Sequence, residues 1–257
     1  MPSLVNSYVN AMDFLVRPSV SRLVRALAFG AAALVMSAAL GASASAGVVT
    51  TSSVLAAAQA AITKQSSVHL AVTFKPSSSS STEKTAADWG EKSGVESISL
   101  GEPTVTTEVT PTRAYVRGNY SGLTTISGLS SAEAKKLGKD WTFVNTGTSE
   151  YSSVESNLTI SWVAGGLPAA KGTKLSTEVV KGAKLYILKW TTAATSSAPK
   201  LSNTLIISAV GATLPVEDTM TASGGGKETI MFSSWGEHVV VSAPPARSTI
   251  AYSKITG

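Results

Sequence analysis

The sequence predicts an α+β fold, a broad antiparallel sheet with a few short helices set against it. Three observations carry this. Short segments rich in Val, Ile and Thr recur along most of the 257 residues, punctuated by Gly, Pro and Ser. Two stretches instead place apolar residues at helical spacing. Beyond residue 46 no change of composition and no long linker divides the chain, so residues 47–257 read as one domain.

Residues 1–46 read as an export signal. Arg17, Arg22 and Arg25 form a positive end, Ala26–Leu40 an apolar stretch, and Ala44 and Ala46 the small residues ahead of a cleavage point at Ala46–Gly47. A translocase holds the positive end in the cytoplasm, and its peptidase needs small side chains beside the scissile bond. An uncleaved N-terminal membrane anchor is the alternative, because no charge occurs between Arg25 and Lys64. A spanning helix wants about 20 apolar residues, and this run dissolves into Ser and Gly after Leu40. Cleavage would remove three Arg and one Asp from 21 basic and 16 acidic residues, leaving +3. The expected location is secreted, or extracytoplasmic in the cell envelope.

The first mature element is a helix over about Ser53–Lys64, where Val54, Leu55, Ala58, Ala61 and Ile62 share a face behind the Thr51–Ser53 cap oxygens. Val68, Leu70, Val72 and Phe74 then alternate with His69, Ala71, Thr73 and Lys75, as in a half-buried strand. Residues 76–92, with five consecutive Ser at 77–81, read as a polar loop or hairpin excursion. Gly94–Leu100, Thr104–Thr110 and Thr112–Gly118 read as a meander. Ser130-x-x-Glu133 is a capping box for a helix that Gly138 ends. Asp140–Asn145 returns to strand. A second box, Ser152-x-x-Glu155, sits among Tyr151, Val154, Leu158 and Trp162, on one helical face as far as Gly165–Gly166. Strands are expected again at Lys174–Val180, Ala183–Trp190, Thr204–Val210, Glu228–Phe232 and His238–Ser242. The total is about nine strands and three or four helices.

The chemistry of the side chains points away from catalysis. With no Cys, the chain has no disulfides, no thiolate zinc site and no thiol nucleophile. Its two histidines, His69 and His238, leave little for metal or acid–base work, and no cofactor or metal is expected. A net charge of +5 without a basic cluster gives nucleic acid no footprint. Ser121, His238 and Asp218 form a conceivable triad, but Gly118-Asn119-Tyr120-Ser121-Gly122 lacks nucleophile-elbow spacing. Gly224-Gly225-Gly226-Lys227 reads as a hairpin turn rather than a phosphate loop, because Glu228 stands where Ser or Thr is required. Glu217–Asp218 reads as a solvated corner, and His69 as a surface imidazole.

The run Leu205–Pro245 resembles the end of the actinobacterial LppX/LprG-like lipoproteins. It carries Leu214-Pro215, a Gly-rich turn, Phe232-Ser233-Ser234-Trp235-Gly236 and Ala243-Pro244-Pro245. Ser67–Phe74, Arg113–Val116 with Tyr115, and Lys139-Asp140-Trp141 agree in order. The resemblance implies a LolA-like half-barrel, a curved antiparallel sheet wrapped round helices to leave an apolar cavity. It also implies binding or transport of an acyl lipid or glycolipid, with only transient membrane contact. These lipoproteins carry a lipobox Cys where this chain has Ala46-Gly47, so release rather than lipid anchoring is expected. The candidate cavity lining is Val68, Leu70, Val72, Phe74, Leu123, Ile126, Leu129, Tyr151, Val154, Leu158 and Trp162, with ordinary core packing as the alternative for each. A protein-interaction or sensor module for an envelope protein, on the same half-barrel, is the alternative function.

Overall fold

The computed structural model describes residues 48–77, 81–194 and 199–256. The expected export signal and its cleavage pair, Ala46 and Gly47, lie outside the described residues. The expected α+β class is the one observed, built on a single open 12-stranded sheet.

Strands β1 (Ser67–Lys75), β2 (Glu83–Gly90), β3 (Gly94–Leu100), β4 (Thr104–Val109), β5 (Arg113–Gly118) and β6 (Trp141–Asn145) form an antiparallel meander. A second meander holds β7 (Lys174–Val180), β8 (Ala183–Thr192), β9 (Leu201–Ser208), β10 (Pro215–Ala222) and β11 (Lys227–Ser233). It returns so that β11 pairs with β1, Leu70 opposite Phe232. A short β12 (Thr249–Ala251) adds in parallel to β6. The order is therefore β12-β6-β5-β4-β3-β2-β1-β11-β10-β9-β8-β7, with β7 and β12 as the open edges among the described residues.

Among the described residues six α-helices accompany the sheet: α1 (Thr51–Ile62), α2 (Tyr120–Thr125), α3 (Ser131–Leu137), α4 (Ser149–Asn157), α5 (Ser161–Gly165) and α6 (Tyr252–Ile255). Helix α1 starts at a Thr50 cap, whose side chain accepts from Ser53 N while the Ser53 hydroxyl takes the Thr50 N–H. Its Val54, Leu55 and Ala58 pack on Leu188, Leu205 and Ile207 of β8 and β9. The Ser130/Glu133 box at α3 forms as expected. Ser130→Ala should cost about 1 kcal/mol, read as a shift of the urea midpoint at unchanged slope.

Strand register fixes which side chains face the helices. Val68, Leu70, Val72 and Phe74 of β1 share this inner face with Ala87 and Trp89 of β2 and Ile230 and Phe232 of β11. Tyr151, Val154, Leu158, Ile160 and Val163 cover that row from α4, α5 and the link between them, completing the main core. Each such Leu or Ile contributes about 1.5–3 kcal/mol through burial.

The expected nine or so strands and three or four helices become twelve and six among the described residues, and three expected elements differ for physical reasons. The segment 76–92 is the hairpin alternative and not one polar loop, because β2 occupies Glu83–Gly90 and pairs back on β1. Its Glu, Lys and Asp disfavour strand, but pairing with β1 on one side and β3 on the other overrides that. Helix α4 is not opened by Ser152 and Glu155. Thr148 caps it, accepting from Tyr151 N, and the stripe breaks after Asn157 so that Trp162 belongs to α5. The run His238–Ser242 is β-branched but pairs with no strand; it lies in the strap that carries the chain from β11 to β12. Strand β10 escaped the reading because Asp218 takes one of its inward positions and breaks the apolar alternation.

Candidate functional site

The site is the inner face of the sheet between α1 and the α4–α5 pair. Thr148 orients α4, and the buried Tyr151 hydroxyl donates to the Thr110 carbonyl at 2.8 Å, fixing the helix over the β4–β5 turn. The α4–α5 link then lies directly on β3. Ile160 N–H donates to the Gly90 carbonyl at 3.0 Å, and a Cβ at Gly94 would run into the Leu158 carbonyl. Tyr151→Phe should leave the Thr110 carbonyl without this donor and cost about 1–2 kcal/mol, checked by denaturant titration.

The expected lining residues fall into three groups. Val68, Leu70, Tyr151, Val154 and Leu158 are buried in the main core, while Val72 and Trp162 are half-buried at its rim. Trp162 stands edge-on to Trp89, with centroids 5.3 Å apart. Phe74 is buried on the same face, flanked in register by Glu83 and Glu228. Leu123, Ile126 and Leu129 lie elsewhere. Leu123 and Leu129 pack with Ala134, Leu137 and Ile255 in a separate cluster, and half-buried Ile126 caps the end of α2. Helix α2 is drawn there because Gly122 lets its backbone lie against Thr104, where any side chain would collide. That stripe therefore packs with α3 and α6 rather than with the main core.

Sequence reasoning missed several inward residues. Leu167 touches both the main core and the α1 core, and Leu214 and Trp235 join the half-buried rim. Trp235 stacks on Phe232 at 5.9 Å and donates its indole N–H to the Pro215 carbonyl. Positive φ at Ser234 and Gly236 turns the chain out of β11 beside it, which gives the Phe232–Gly236 motif its structural meaning. Glu83, Glu96 and Glu228 are buried, and register puts Asp218 on the same face, so it is not a solvated corner. The buried Trp89 Nε1 and Thr142 Oγ1 have no hydrogen-bond partner among the described residues. Trp89, Ala87 and Thr85 do alternate, but Thr85 on the inner side and Ala86 on the outer side blur the contrast between the two faces.

The outer face is different in kind. Arg113 lies 4.4 Å over the Phe143 ring and Arg117 4.6 Å over Trp141, with buried Tyr115 edge-on to Trp141. Beside them, burial raises the Glu108 carboxyl above its ordinary pKa against the opposing pull of Arg117. The folded protein thus holds the Glu108 proton more tightly than the unfolded chain. That stabilising contribution is complete below the ordinary carboxylate range and is lost as pH rises through the raised value. Glu108→Gln should therefore raise the urea midpoint near neutral pH and lose that advantage in acid.

Across β1 and β2, His69 Nδ1 lies 2.7 Å from Asp88 Oδ1, so His69 is a paired surface imidazole. His238 of the strap meets the same surface cavity of about 350 Å³, together with Ser67 and Glu237. The conceivable triad does not assemble. Ser121 bonds to Asn119 at the start of α2, His238 lies by the outer face, and Asp218 points inward. Gly224–Lys227 forms the β10–β11 hairpin turn. Among the described residues no group of His, Asp and Glu could hold a metal ion, and no helix is long and apolar enough to cross a membrane.

No sequence-family profile and no curated protein matches the chain. Among solved structures it is similar to the Mycobacterium tuberculosis lipoprotein LppX, at 18% identity and a TM-score of 0.47, over 74% of this chain and 99% of that one. It is similar to LprF from Mycobacterium bovis at 15% identity and 0.48, over 76% and 96%. A LolA superfamily protein from Nitrosomonas europaea is similar at 11% identity and 0.30, over 76% and 96%.

Proposed function

We propose that the mature chain is a non-enzymatic binding protein of the extracytoplasmic envelope that holds the apolar part of an acylated lipid against the inner face of its sheet. The observation that carries this reading is the half-buried apolar rim of the core. Val72, Val144, Trp162, Leu167 and Leu214 pack against the main core yet stay only half-buried, and Leu167 links it to the α1 core. An acyl chain laid along this rim gains about 0.8 kcal/mol per buried CH₂. The face also offers polar atoms to the other end of the ligand. The Trp89 N–H and the Thr142 hydroxyl are buried hydrogen-bonding groups without a protein partner among the described residues. Release after cleavage at Ala46–Gly47, rather than lipid anchoring, belongs to the same proposal.

The test is a titration of residues 47–257 with a fluorescent long-chain acyl probe. Saturable uptake, competed by unlabelled lipid, is expected. No uptake above a denatured control would sink the reading and leave protein recognition, for which the open edge of β7 supplies unpaired backbone groups.

A further inference from the structure

The two turns at one end of β7, β8 and β9 carry apolar residues where loops are ordinarily polar. The β7–β8 hairpin tip runs Val179-Val180-Lys181-Gly182-Ala183, with Lys181-Gly182 as its turn and the last two residues of β7, Val179 and Val180, 70% and 46% exposed. Lys181 and Gly182 have φ of 51° and 82°, a tight turn in which both central residues are left-handed. A lysine in that conformation is strained, so the turn is held by strand pairing rather than by its own preference. Next to it, the connection that follows β9 runs Ala209-Val210-Gly211-Ala212, with Val210 65% exposed. The Ser208 hydroxyl clamps this second turn by donating to the Val210 carbonyl at 2.8 Å and accepting from Val210 N. Ala209 N–H donates to the Lys184 carbonyl at 3.0 Å, which sets the two turns side by side.

The charge of this end is one-sided. From Val179 to Lys184 and from Ser208 to Leu214 there are two lysines and no acidic residue; Glu178 stands just outside. Rigid apolar tips flanked by lysines match the interface of a bilayer with anionic headgroups. The valines meet the acyl boundary while the ammonium groups stay among the phosphates. We propose that the Val179–Lys184 and Ala209–Ala212 turns together dock the protein on an anionic lipid surface. The contact is shallow and reversible, since three valines and two lysines cannot anchor a protein permanently. Its use rests on the lipid-binding reading, because a carrier must meet the membranes between which it works.

Absence of cysteine makes the test clean. Val210→Cys, Val179→Cys and, at the far end of β9, Ser202→Cys are each labelled with an environment-sensitive fluorophore. They are mixed with phosphatidylcholine vesicles, with and without phosphatidylglycerol, and with no ligand present. The dye at positions 179 and 210 should brighten and shift to the blue on phosphatidylglycerol vesicles, with position 202 silent. Lys181→Gln with Lys184→Gln should raise the lipid concentration for half-maximal response by roughly 10- to 30-fold, at about fivefold per lysine. All these positions are exposed, so folding is not at stake. Equal responses at 202 and 210, no response at any site, or self-association in place of vesicle binding would overturn the proposal. Acyl-probe uptake is measured without vesicles, so either reading can fail while the other stands.

Discussion

Gly94→Val is expected to destabilise the protein by about 3 kcal/mol or more, at the upper end of overpacking costs. Thermal unfolding should fall by roughly 6–12 °C for a chain of this size. The reason is local and steric. At Gly94 a Cβ would collide with the Leu158 carbonyl, which is backbone and cannot swing aside. Relief requires the α4–α5 link to rise off β3, which strains the Ile160–Gly90 hydrogen bond and lifts Leu158 and Ile160 from the core. Gly101 is a useful contrast in the same meander. Open space surrounds it, and its positive φ alone opposes a side chain, so Gly101→Ala should cost only about 1 kcal/mol. Equal losses at the two glycines would show that α4–α5 does not rest on β3 as described.

Trp162→Asp is expected to lower affinity for an acyl probe by on the order of 100-fold, because a carboxylate at the rim must be desolvated wherever the apolar chain lies. Trp162 is half-buried and on the short helix α5, so the fold should survive the change better than it survives loss of a fully buried residue such as Leu70. Trp162→Phe keeps an aromatic face toward Trp89 and should retain most of the uptake. The comparison separates lining from core. If Trp162→Asp unfolds the protein while Leu70→Ala costs only the ordinary 2–5 kcal/mol, Trp162 is a packing residue and the rim is not the site. Retained uptake in a folded Trp162→Asp variant would move the ligand away from α5.

What the sequence made legible follows from where apolar periodicity and caps coincide. Strand β1 was readable because Val68, Leu70, Val72 and Phe74 alternate without interruption, and α3 because Ser130 and Glu133 satisfy each other's backbone. Strand β2 was not, since Glu83, Lys84 and Asp88 are poor strand formers and only its two neighbours make Glu83–Gly90 extended. The run His238–Ser242 misled in the opposite way, having strand composition but no partner. The inner face was half legible. Spacing identified apolar faces correctly at β1 and α4, yet Leu123, Ile126 and Leu129 have the same kind of spacing and serve another cluster. Local periodicity reports that a face is buried, not against which partner. The inward carboxylates were invisible for a related reason: which face a Glu occupies depends on strand register, and register is set by pairing across the sheet.

Native mass spectrometry of residues 47–257, purified without detergent and read beside an organic extract of the same sample, decides whether the inner face carries an acyl lipid. A lipid carrier gives a reproducible acylated species, bound one to one and absent from a folded Trp162→Asp variant. A protein that is empty in every preparation and takes up no added lipid would contradict the lipid-binding reading.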